Sequence, residues 1–244
     1  MKALRFAVAL TFTAALLTGC AQNTASSSAS SLPSATSGSA SDTSGSASDT
    51  SGQSSAASLD EDLLISRYTD VSALPALDLN LEPSLQFDDR TLVMEDSIEN
   101  ELEYLVYQSY YYEISADFSS QETLLGDSEY LQISVKNGKE NFENGEYMTS
   151  VTIHALNTLT PEDLDFVADY AKEDLLESIN QYALTEYAIV QADLDWTYSQ
   201  AWLDAGPQVG NGRYMRYFLL GKTEETPEFR WYELYWEGFM EEAP

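Results

Sequence analysis

The chain holds few groups able to do covalent or metal chemistry. Cys20 is its only cysteine and His154 its only histidine. A single cysteine allows no intramolecular disulfide. One histidine with no second thiolate leaves no usual ligand set for zinc. A serine or cysteine nucleophile would need His154 as its base. No Gly-x-Ser-x-Gly elbow accompanies it, and alternation sets His154 opposite Val151 and Ile153, as a half-exposed strand residue. Carboxylates are abundant, with 41 Asp and Glu against 11 Lys and Arg. Two that face each other at a set separation can hydrolyse a glycoside. Glu233 and Glu237 flank Tyr235 on one predicted strand face, with Asp193 and Asp195 together on a strand taken as its neighbour. The same acids offer oxygen ligands to calcium, but no EF-hand-like loop is present. So many acids produce such pairs by coincidence. The favoured reading is a solvated acidic surface, with no catalytic residue, no metal site and no cofactor.

The aromatic residues carry more weight. Tyr104, Tyr107, Tyr110, Tyr111 and Tyr112 crowd one segment, and Trp196, Trp202, Trp231, Tyr232, Tyr235 and Trp236 crowd the last quarter. Alternate strand residues face opposite ways, so Trp231 and Tyr235 are expected on one face and Tyr232 and Trp236 on the other. One set fills a core. The other is free to line a pocket or patch. The candidate ligand-binding residues are therefore Trp196, Trp202, Trp231 and Tyr235, for a glycan, peptide or protein ligand. Gly206 to Gly212 is a Gly-rich loop nearby, without the strand-loop-helix context of a phosphate site.

The elements that must position these residues are mixed. Leu77, Leu79 and Leu81 alternate with polar residues and predict a short strand ended by Pro83. Asp96 to Glu99 resembles a capping box, and Ile98, Leu102, Leu105 and Val106 recur at helical spacing. A second helical stretch is expected after Ser119, weakened by Gly126 and Gly138. Asn144-Gly145 marks a turn before a strand over 147–156. Thr160 and Pro161 open a helix predicted to run to residue 181, with Leu164, Val167, Ala168, Ala171, Leu175 and Ile179 as its apolar stripe. In residues 186–198, Ala188, Val190, Ala192, Leu194 and Trp196 share one strand face. Residues 213–220 and 228–239 complete a meander through a loop at 222–227. Short connections favour antiparallel pairing, and helices segregated from the sheet give an α+β class, helices packed on a curved antiparallel sheet.

The chain starts differently. Lys2 and Arg5 precede an apolar run of 12 residues, Phe6 to Leu17. That run is too short to span a hydrocarbon core of about 30 Å and has the form of a signal peptide. It closes on Leu17-Thr18-Gly19-Cys20, which resembles the lipobox of bacterial lipoproteins. The resemblance implies a diacylglycerol thioether on Cys20, cleavage after residue 19, and a lipid-anchored domain on the outer face of a membrane. Two acyl chains suffice for stable anchoring. Residues 21–58 are rich in Ser, Ala, Thr and Gly, and the heptapeptide Ser37-Gly38-Ser39-Ala40-Ser41-Asp42-Thr43 repeats as residues 44–50. Such a chain cannot offset its ordering entropy by burial, and reads as a disordered linker. It would reach on the order of 35 Å as a flexible coil. Residues 59–244 are expected to form one domain.

The element order from Asp96 to Gly238 resembles the nuclear-transport-factor-2-like superfamily, a cone of helices against a bent sheet. The long helix at 161–181 departs from that pattern. The superfamily hosts enzymes, binders and adaptors, so the resemblance implies a fold and not a function. The formal charge is −30. Lys2 and Arg5 are balanced by Asp42 and Asp49, so all of it falls on residues 59–244. That argues strongly against a nucleic-acid partner, which requires a basic footprint, and against an anionic membrane surface. The reading is a non-catalytic binding or adaptor lipoprotein. A carboxylate-dependent glycan hydrolase and a structural surface protein are the alternatives.

Overall fold

The computed structural model describes residues 62–240. The signal peptide, Cys20 and linker expected over 1–58 lie outside the described residues. Among those described, no helix is long and apolar enough to cross a membrane.

The fold is α+β. Six strands form one open sheet in sequence order: β1 (Ser84–Phe87), β2 (Arg90–Met94), β3 (Met148–Thr158), β4 (Glu186–Tyr198), β5 (Gly212–Lys222) and β6 (Arg230–Tyr235). The helices are α1 over 62–67, α2 (Glu101–Ser115), α3 (Phe118–Gln121), α4 (Glu129–Glu143), α5 (Asp169–Gln181) and α6 (Gln200–Asp204). Four of the five strand pairings are antiparallel. The β2–β3 pair is parallel. Its crossover contains α2, α3 and α4, the long connection that parallel neighbours need.

The apolar face of β4 lies where alternation puts it. Ala188, Val190, Ala192, Leu194 and Trp196 join one core beneath α2, with Val151 and Ile153 of β3 and Phe218 and Leu220 of β5. The sheet has a second core on its other face. Tyr187, Ile189, Tyr217 and Leu219 meet Leu175 and Ile179 of α5 and Leu64 of α1 there. Helices therefore cover both faces of the β4–β5 region.

Several local expectations are corrected. No strand forms at 77–81. Leu77 and Leu81 pack against the first core from an extended segment, and Leu77 N–H bonds Glu99 C=O outside any ladder. The alternation there reports burial without pairing, and the strands form after Pro83 instead. Helix α2 begins later than the Asp96 box. Asn100 is its cap, and its side-chain oxygen accepts from Leu102 N–H and Glu103 N–H. The helical stretch after Ser119 is two pieces, capped by Asp117 and Ser128. They part where Gly126 N–H bonds Trp231 C=O at 2.8 Å. The helix predicted over 161–181 also divides. The Thr160 capping box opens a 3-10 turn (Pro161–Phe166), and Val167 then turns extended to bridge Met240 before α5 starts. The stripe from Leu164 to Ile179 is buried all the same.

The most consequential difference is in β6. Leu220 pairs with Trp231, yet Leu219 pairs with Glu233, so Tyr232 is an extra residue. A bulge of this kind reverses the parity of the residues beyond it. Trp231 and Leu234 face the α2 core, whereas Tyr232 and Tyr235 face the α5 side. Trp231 and Tyr235 do not share a face.

Candidate functional site

Two ionisable side chains lie inside the α2 core. Glu113 sits four residues beyond Ser109 on the inward side of α2, and both are buried. Arg216 sits on β5 between the inward-facing Tyr214 and Phe218 and is 0% exposed. Burying a lone guanidinium costs several kcal/mol, on the order estimated for one ion in a protein interior. Aromatic faces offset part of that cost. The Arg216 guanidinium carbon lies 3.5 Å from the Trp236 ring centre, 4.8 Å from Tyr214 and 5.0 Å from Trp196. Burial still pushes its pKa below the usual arginine value, opposed by the nearby Tyr110, Glu237, Tyr198 and Tyr214.

The hydrogen bonding of Arg216 is incomplete. Its Nη1 donates to Met215 C=O at 2.8 Å. Its Nε and Nη2 are buried without an acceptor. Those two nitrogens form the side edge of the guanidinium. Arg213, on the opposite face of the same strand, uses that edge on Asp193, with Nε–Oδ1 at 2.8 Å and Nη2–Oδ2 at 2.6 Å.

Beside this cage is a cavity of about 10 Å3, lined by Tyr110, Glu113, Trp196, Tyr198, Phe218 and Trp231 among others. It has room for about one water. The Tyr110 and Tyr198 hydroxyls are held well above the usual tyrosine pKa, first by burial, with Glu113 adding to it. Both stay protonated and keep donor capacity at neutral pH.

The residues singled out from the sequence divide between the two faces. Trp196 and Trp231 both line this cavity. Trp202 stacks on Tyr198 with ring centres 4.9 Å apart. All three indoles are buried. The N–H groups of Trp196, Trp202 and Trp231 donate to the carbonyls of Gly210, Val209 and Glu233 respectively. Tyr235 lies on the other face, stacked on Phe239 and donating to Ser178 Oγ. Sequence reasoning misses Arg216 and Glu113, although a signal is there. Arg216 shares parity with Tyr214, Phe218 and Leu220, and Glu113 continues the spacing of Leu102, Val106 and Ser109. An ionisable residue on an apolar stripe is a buried one.

The other candidates are dispersed. His154 Nδ1 lies 2.6 Å from Glu95 Oε2 at a half-exposed position. Asp193 is engaged by Arg213, which holds its carboxyl below the usual range. Asp193 and Asp195 belong to β4, and β5 separates them from Glu233 on β6. Glu237 accepts from Met215 N–H at 3.3 Å. Glu233 lines an open cleft of about 250 Å3 with Asp174 and Glu177, and burial raises its pKa. Among the described residues no group of three or more His, Cys, Asp and Glu is placed to hold a metal ion.

No protein-family model matches the chain, and comparison with curated proteins and with solved structures likewise finds no match.

Proposed function

We propose that the protein is a lipid-anchored, extracytoplasmic binding protein whose domain takes a small ligand between α2 and the sheet. The observation that carries the binding role is Arg216. A cation with no exposed surface and an unused side edge, caged by aromatics, is an expensive arrangement for packing alone. Interior polar groups converging in a largely apolar site are the usual makings of a ligand pocket. The location rests on Leu17-Thr18-Gly19-Cys20 behind its apolar run. The cage is closed, so entry requires movement of its outermost wall, the half-buried Trp236.

Thermal unfolding of the full chain in detergent tests the binding role. Small organic acids, wall glycan fragments, cationic peptides and calcium would each be added in turn. A concentration-dependent rise in Tm with one class is expected, because a ligand of the folded state stabilises it by mass action. No rise with any class would defeat the reading.

One observation favours a second reading, a glycan hydrolase. Glu233 has the raised pKa of a general acid and shares a cleft with two more carboxylates. Loss of glycan cleavage in Glu233→Gln would support it. Absence of cleavage by the wild-type chain would remove it.

A further inference from the structure

Resting on the binding role proposed above, we infer that Arg216 is the anchor of a carboxylate site, and that the ligand is a small organic acid with an apolar body. The two buried donors without an acceptor are Nε and Nη2. Their parallel N–H bonds match the two oxygens of a carboxylate, and the pair is charge-assisted. The chain itself displays that fork at Arg213 and Asp193. Arg216 differs in lacking the carboxylate. The nearby acid on its C-terminal side, Glu237, is exposed and bonded to the Met215 backbone.

The surroundings decide what else the ligand carries. Met148, Phe218, Trp231 and Leu234 make the cavity wall apolar. The cavity as it stands admits about one water, so a hydrocarbon or aromatic body needs the space that opens when Trp236 moves. Trp236 is the one cage member outside a strand, next to a turn that contains Gly238 with φ +94. The turn is tied back by Tyr170 O–H to Gly238 C=O and by the Val167–Met240 bridge. Displacing it opens the face of the Arg216 guanidinium that Trp236 covers, which gives a ligand a route to the neighbouring edge.

The test uses the full chain in detergent and four probes: acetate, benzoate, acetamide and benzamide. Tryptophan fluorescence reports, since Trp196 and Trp236 lie against the guanidinium. Benzoate is expected to saturate at least tenfold more tightly than benzamide, and acetate more tightly than acetamide. Arg216→Met keeps the volume and removes the charge, so it should fold and lose the acid preference. Arg216→Lys keeps the charge without the fork and should weaken benzoate at least tenfold. Circular dichroism confirms that each variant is folded. Equal binding of acid and amide, unchanged in Arg216→Met, would overturn the carboxylate assignment and leave the binding role standing. No saturation by either acid would also overturn it, and the thermal panel would then decide the binding role separately.

Discussion

Glu103 shows how one buried side chain can hold two elements together. Its carboxylate accepts from Glu99 N–H at 2.7 Å, from Asn100 Nδ2 at 3.2 Å, and from Thr158 N–H and Oγ1 at 3.1 and 3.0 Å. These bonds close the start of α2 and fasten it to the end of β3. Truncation strands several buried donors, each costing about 1–3 kcal/mol. Glu103→Ala is expected to lower stability by about 3 kcal/mol in urea unfolding, a loss of under about 1 kcal/mol being the contrary result. Arg216 should behave oppositely. A buried charge replaced by an apolar side chain of similar volume is often neutral or stabilising, so Arg216→Met should hold or raise Tm.

At the scale of the element, the β6 bulge is the feature on which side-chain placement turns. Tyr232 is packed into its extra position by Gly126, where an added Cβ would lie 2.2 Å from the tyrosine ring. Gly126→Ala must therefore displace Tyr232 or the 125–127 turn, and a loss of about 1–3 kcal/mol is expected from overpacking. Unchanged stability would show that the turn yields freely. The bulge also governs Glu233, which it turns toward the α5 side. Burial raises this carboxyl above the usual glutamate value. A raised acid costs no stability below its unfolded pKa, where it is neutral in both states. It costs stability as pH rises through that value, because the buried form resists ionisation. Glu233→Gln should therefore raise Tm at pH 7, with the gain shrinking as pH falls into the ordinary carboxylate range. Thermal scans across that range check the sign.

Strand alternation at β4 and the apolar stripe from Leu164 to Ile179 are legible in the sequence because side-chain period follows backbone geometry directly. The bulge at Tyr232 is not, since it depends on packing against a glycine more than a hundred residues earlier. The division of the 161–181 helix is hidden for a similar reason: Val167 leaves the helix to pair with Met240. Parallel pairing of β2 with β3 is a long-range choice that no local pattern encodes. The candidate site is half visible. Trp196 and Trp231 stand out by type and do meet at one cavity. The ionisable residues beside them, Arg216 and Glu113, escape notice when they are weighed by type and not by the face they occupy.

For the whole molecule, a domain with two cores is joined to an N-terminal segment that we propose to be its membrane address. The sheet is covered on both faces, so the domain does not need a partner to bury its β4–β5 region. Its charge of −30 favours solution over anionic lipid. The proposed hold on a membrane is the lipid on Cys20. Labelled fatty acid should enter the wild-type chain and not Cys20→Ala, with the variant released from the membrane fraction. Label in Cys20→Ala would refute the anchor.

The most direct measurement of the central claim is tryptophan fluorescence of the full chain, titrated with organic acids, glycan fragments, cationic peptides and calcium. Trp196, Trp231 and Trp236 border the cage and its cavity. A saturable change with one class, the organic acids, is the predicted result. A folded protein whose fluorescence responds to none of them would contradict it.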